Sequence, residues 1–122
     1  MDGISCYELG IETYRQRKYY EAIEYFTKAL TFKIDDKTMI SNIYNEIAIC
    51  QINKGDTSKG LLNLDLAILA NHQNYVAIEN RAGLRISLKR DEREAIEDFQ
   101  ILIDNSRMTP SLWRSWELVL KT

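Results

Sequence analysis

The side chains able to do chemistry are few and scattered along this chain. Its only histidine, His72, lies in the polar run Asn71-His72-Gln73-Asn74, with no cysteine or carboxylate at metal-ligand spacing. It reads as a surface turn residue. A Ser–His–Asp set would have to be built on that single imidazole, and no Gly-rich phosphate loop is present. The two cysteines, Cys6 and Cys50, sit in apolar helical patterns without CxxC spacing or a flanking cationic helix end. They are expected to be reduced, buried small hydrophobes. The run Lys89-Arg90-Asp91-Glu92-Arg93-Glu94 reads as a solvated turn and helix start, its acids placed favourably near the helix N-terminus. The alternative is a basic edge of Arg81, Arg85, Lys89, Arg90 and Arg93 for an acidic partner. No metal, cofactor or catalytic residue is expected, and the chain is not expected to be an enzyme.

The bulk properties narrow the class further. The chain has 122 residues, 45% of them hydrophobic and 28% charged, which suits one soluble globular domain. Its net charge is −2 and its pI about 5.4. That balance supplies no strong field for phosphate backbones, so nucleic acid is not an expected partner. No basic segment followed by an apolar run opens the sequence, and no apolar stretch reaches the roughly 18 residues of a membrane span. A reducing cytoplasmic or nuclear setting is the default expectation, with no membrane partner.

Any functional face must therefore be carried by helices. Pro110 is the only proline and glycine is sparse, so few breakers interrupt the chain. Apolar residues recur at three and four spacing, the amphipathic helix signal. Seven helices are expected, over residues 4–17, 19–32, 38–54, 58–70, 75–88, 92–105 and 110–120. Gly55 supplies a residue able to take positive φ, and Asp56 or Thr57 can cap the helix that follows. Thr109-Pro110 is a strong helix start, because Pro is tolerated in the first turn.

The second helices repeat one another. Ala22-Ile23-x-x-Phe26-x-x-Ala29-Leu30 matches Gly60-Leu61-x-x-Leu64-x-x-Ala67-Ile68 and Ala95-Ile96-x-x-Phe99-x-x-Leu102-Ile103. Small residues Gly10, Ala48 and Ala82 precede Ala22, Gly60 and Ala95 by twelve or thirteen positions. Two helix backbones approach closely only where both carry small side chains, and Phe26, Leu64 and Phe99 then fill the space one turn on. One such hairpin cannot bury its apolar face alone, so neighbours must stack. These residues resemble the tetratricopeptide repeat, a helix-turn-helix of roughly 34 residues. The resemblance implies an all-α fold: three repeats at about 3–36, 38–74 and 75–108 in a right-handed superhelix, with a C-terminal capping helix over 110–121, the whole a single domain. There are departures. Cys6, Tyr44 and Ile78 replace the usual Trp, about four extra residues lie between Phe32 and Lys37, and Arg81 and Arg85 stand at normally apolar positions.

The resemblance also implies that the first helix of each pair lines a concave groove. The groove residues are then Tyr7, Ile11, Tyr14 and Arg15; Asn45, Ile49, Ile52 and Asn53; and Val76, Glu79, Gly83, Ile86 and Ser87. A solvated helix face should be charged, and this one is apolar and aromatic, which marks an interaction site. The expected function is an adaptor or scaffold that binds a peptide or helix of another protein, with Asn45 or Asn53 on its backbone. Some repeats of this kind grip an acidic C-terminal carboxylate with Lys, Arg and Asn. Tyr7, Ile11, Glu46, Val76 and Asn80 hold the corresponding positions here, so a carboxylate clamp is not expected. The second reading is a structural subunit, self-associated or within a larger complex. An RNA-contacting helical repeat is the third, and the overall acidity disfavours it. A secondary surface is offered by Trp113 and Trp116 on the last helix, since Trp is enriched at interface hot spots.

Overall fold

A computed structural model describes residues 2–89 and 92–121. Among the described residues there are seven α-helices and no strand: α1 Gly3–Arg15, α2 Tyr19–Leu30, α3 Lys37–Asn53, α4 Thr57–Ala70, α5 Tyr75–Leu88, α6 Glu92–Asp104 and α7 Pro110–Lys121. No helix among them is long and apolar enough to cross a membrane. The chain divides into two compact units, Met1–Asn74 and Tyr75–Thr122.

The first unit holds two helical hairpins, with α1 on α2, α2 on α3 and α3 on α4. Local sequence sets the helix starts. Asp2 caps α1 by accepting from the Ser5 N–H at 2.7 Å, Asp36 caps α3 through Thr38 at 2.9 Å, and Asp56 caps α4 through Lys59 at 3.3 Å. The α3–α4 turn passes through Gly55 at φ 87°, as its sequence predicts. The equivalent residue of the α1–α2 turn is Arg17 at φ 62°, a conformation that costs a side-chain-bearing residue free energy.

The small residues act where expected, with Ile52 the one neighbour here that the repeat pattern does not name. A Cβ added to Gly10 would stand 2.5 Å from the Phe26 ring, so the missing side chain makes room for that ring. At Gly60 the added atom would meet Ile52 Cγ1 at 2.6 Å and the Ala48 carbonyl oxygen at 3.4 Å. Cys6, Ala22, Phe26, Ala29, Ile43, Ile47 and Cys50 form one buried cluster. Both cysteines are free, buried thiols. The extra residues between α2 and α3 fold back onto this core, with Phe32 and Ile34 half-buried against it. At the far end, Ser41 Oγ donates to the Ala67 carbonyl at 2.6 Å and accepts from the Asn74 amide at 2.8 Å, all buried.

The second unit is the α5–α6 hairpin with α7 against both helices. Ala82 and Ala95 are fully buried. Thr109 caps α7 by accepting from the Leu112 N–H at 3.2 Å, the start that Thr109-Pro110 predicts. The apolar band of α7 splits between two faces. Leu112 and Trp116 are half-buried and Val119 is buried, whereas Trp113 and Leu120 are exposed. Trp116 packs on Phe99 with ring centroids 5.4 Å apart. Residues four and three apart on a helix share one side, so that side of α7 covers the hairpin and Trp113 does not take part.

Candidate functional site

In the first unit, α1 and α3 carry the residues read as a groove, and both helices contribute to the cluster around α2. Spacing places Tyr7, Ile11 and Tyr14 on one side of α1. All three are half-buried and pack against the buried cluster. The Tyr7 ring lies 5.8 Å from Phe26 and the Tyr14 ring 5.8 Å from Tyr19, so their inner edges are held by contacts within the hairpin. Arg15 is exposed at the end of α1. On α3, Ile49 and Ile52 are half-buried. Ile52 is the residue that packs over Gly60, so part of its surface belongs to the α3–α4 hairpin.

The two asparagines read as backbone binders lie differently. Asn45 is only 4% exposed and offers a partner almost no surface. Asn53 is exposed, and its amide donates to the Ile49 carbonyl one turn back on its own helix at 2.9 Å. Neither placement is visible in the spacing alone.

Glu46, named from the sequence only as a position that a carboxylate clamp would fill, lies on the same helix as Ile49 and Ile52. It lies one turn before Ile49 and is half-buried. Burial pushes its carboxyl above the ordinary carboxylate range. Its charge reaches both tyrosines: burial first, then Glu46, raises the phenols of Tyr7 and Tyr14. Burial and Glu46 together push the Cys50 thiol up to about 12, with Lys54 opposing them. Tyr7, Tyr14, Glu46 and Cys50 are therefore electrostatic neighbours. The thiol is protonated at neutral pH, and reactive cysteine chemistry is not available there. The i to i+3 relation of Glu46 to Ile49 was the available signal for its place beside that residue.

In the second unit, the residues read as a groove lie on α5. Glu79 and Ile86 are half-buried, and Val76, Gly83 and Ser87 are exposed. Burial pushes the Glu79 carboxyl up as well. Ser87 Oγ donates to the Gly83 carbonyl at 3.1 Å.

The basic edge suggested by Arg81 and Arg85 does not form as a free surface. Arg81 Nη2 stands 2.6 Å from Asp98 Oδ1, with its Nε at 3.1 and 3.2 Å from the two carboxylate oxygens. Arg85 Nη1 reaches Asp98 Oδ2 at 2.9 Å. Asp98 is 1% exposed on α6. Two charged residues thus fill normally apolar positions because a buried counter-charge faces them across the hairpin. Lys89 and Arg93 are exposed, while Arg90 lies outside the described residues.

A separate cleft of about 570 Å³ in the first unit is lined by Tyr20, Ile23, Lys28, Gln51, Lys54 and Lys59, among others. The Lys54 ammonium sits 4.0 Å over the Tyr20 ring at this cleft.

No protein-family model matches the sequence, and no curated protein does. Solved structures do match. The first tetratricopeptide domain of Spaghetti (RPAP3), solved with an HSP90 peptide SRMEEVD, superposes with a TM-score of 0.85 at 18% identity. That match covers 98% of this chain and 91% of that one. Yeast Tom70 superposes with a TM-score of 0.83 at 23% identity, covering 97% of this chain and 23% of that one. This chain therefore spans less than a quarter of Tom70. The chain has the tetratricopeptide-repeat fold, as its repeat pattern implies.

Proposed function

We propose that this chain is a protein-interaction module that takes a peptide or helix of a partner protein on the inner face of its first helices. The observation that carries this reading is the half-buried apolar and aromatic surface of Tyr7, Ile11, Tyr14 and Ile49, side chains a solvated helix face would not need. The fold shared with a domain solved around an HSP90 peptide supports peptide capture as the mode. Replacing Tyr14 and Ile49 together by Glu is expected to abolish partner binding and leave the helical circular dichroism intact. Retained binding moves the site to Trp113 and the outer side of α7.

The partner is not an acidic C-terminal tail. Tyr7 and Ile11 stand where a clamp would place Lys and Asn, and Glu46 repels a carboxylate. An acidic peptide such as SRMEEVD is expected to bind at millimolar strength or not at all. Micromolar binding in a calorimetric titration overturns this part of the reading.

A second reading, self-association, is favoured by Leu62 and Leu69, which stand 58% and 70% exposed on α4. They lie two turns apart on one side of that helix. Sedimentation of the purified chain separates the two readings, since a clean monomer removes the second.

A further inference from the structure

We infer that the cleft built by the long α2–α3 connection is a second docking site, and that it takes a partner segment carrying an arginine or lysine between aliphatic side chains. Residues 31–36 join α2 to α3, whereas 71–74 suffice between α4 and α5. The longer connection does not loop out into solvent. Phe32 and Ile34 turn back onto the buried cluster of the first unit, as Met39 does from the first turn of α3. The start of α1 closes on the same place: a Cβ added to Gly3 would stand 3.3 Å from Phe32 Cβ. Beside this contact lies a cleft of about 530 Å³, within the size range of ligand-binding clefts. Connections held on a rigid scaffold are where proteins commonly place binding residues.

The lining of this cleft falls into two chemistries. Phe32, Ile34 and Met39 are half-buried and Ile4 is 59% exposed, so apolar surface is open to an occupant. Covering that surface supplies affinity, and the unbranched Met39 adapts to the shape presented. The polar lining sets Asp2, Asp35 and Asp36 against one cation, Lys33. Asp2 and Asp36 cap α1 and α3, so part of their charge is answered by the helix ends. Asp35 caps neither helix and is exposed. Exposed carboxylates are solvated and need no counter-ion. They act on choice instead: a rim of one sign speeds the approach of a cation and turns away an anion. The stem of a long basic side chain covers apolar surface while its head stays at the rim. None of these residues belongs to the groove of Tyr7, Ile11, Tyr14 and Ile49, so the two sites are separable.

The test titrates the isotope-labelled full chain with capped peptides in which two leucines flank an arginine, a citrulline or a glutamate. The arginine peptide is expected to shift the amide signals of Ile4, Phe32, Ile34, Asp35 and Met39. The citrulline peptide keeps the shape and loses the charge, and should bind about two- to fivefold more weakly. The glutamate peptide should bind more weakly still. Asp35→Asn should weaken the arginine peptide and leave the citrulline peptide unchanged, and added salt should do the same. Ile4→Ser should weaken all three alike. Both substituted side chains are exposed, so the fold does not depend on them. Equal binding of the arginine and glutamate peptides overturns the inference. So do shifts confined to the groove residues, or no shift at all. Shifts at these residues on concentrating the chain without peptide assign the cleft to a second copy and overturn the partner segment.

Discussion

The first hairpin with α3 and the α5–α6 hairpin solve the same packing problem with different materials. In the first, Gly10 admits the ring of Phe26 and the contact is wholly apolar. In the second, the buried contact includes Asp98 held by Arg81 and Arg85. Each region also contains a desolvated carboxylate, and these differ in kind. Asp98 is fully buried and doubly paired, so its charge is absorbed by the fold. Glu46 is half-buried and makes no ion pair among the described residues, so the fold does not absorb its charge in the same way. What stands opposite an acid in a helical repeat decides whether its charge is absorbed, and the residue type alone does not say.

The comparison can be broken most directly at Asp98. Replacing it by Ala removes the buried carboxylate that two guanidinium groups share and is expected to cost about 3–5 kcal/mol, read by urea unfolding. Replacing Asp98, Arg81 and Arg85 together by apolar residues should recover most of that loss. If the single change costs under about 1 kcal/mol, the cluster is not structural. The next effect is at the other hairpin. Gly10→Ala forces a methyl against the Phe26 ring and should destabilise by about 1–3 kcal/mol, despite the better helix propensity of Ala. Thermal unfolding checks it.

Glu46 should respond in the opposite direction. Burial favours its protonated form in the folded chain, so the fold takes up the proton more readily than the unfolded chain does. Its contribution to stability is therefore fully present below the ordinary value of 4.5 and is lost as pH rises through the raised folded value. Glu46→Gln should stabilise the chain by up to about 1 kcal/mol at neutral pH, water at the half-exposed carboxyl screening the remainder. The gain should shrink as the solution is acidified. A variant equally stable to the parent at every pH would show that Glu46 is already satisfied. The smallest effect belongs to Gly83, whose added Cβ meets nothing within 4 Å. Gly83→Ala should stabilise by about 0.4–1 kcal/mol through the unfolded state, a sign opposite to that at Gly10.

Much of the fold was legible because its signals are local. Gly55, Asp56 and Thr109 mark helix boundaries through chemistry that reaches only three or four residues, and the Asp36 cap of α3 went unread. The limits of α5 fall at Tyr75 and Leu88, where the periodicity puts them. The small residues at Gly10, Ala48, Ala82 and their partners gave the pairing of helices. What escaped depends on partners far away in sequence. Arg81 and Arg85 resemble a solvated basic edge until Asp98 is seen across the hairpin. Ser41 and Asn74 meet although 33 positions separate them. The site was legible as a set of faces. Spacing assigns Tyr7, Ile11 and Tyr14 to one side of α1, but it does not tell that Asn45 is buried.

The placement of the two thiols has a practical consequence. Cys6 and Cys50 are the only cysteines of the chain, and both lie in the core of the first unit. A thiol reagent needs access to the sulfur, and burial denies it to both thiols. Alkylation of the unmodified protein therefore clocks the opening of the first unit and is blind to the second. Set beside hydrogen exchange over α5 to α7, that rate reports whether the two units loosen together or one at a time, with no label engineered into either.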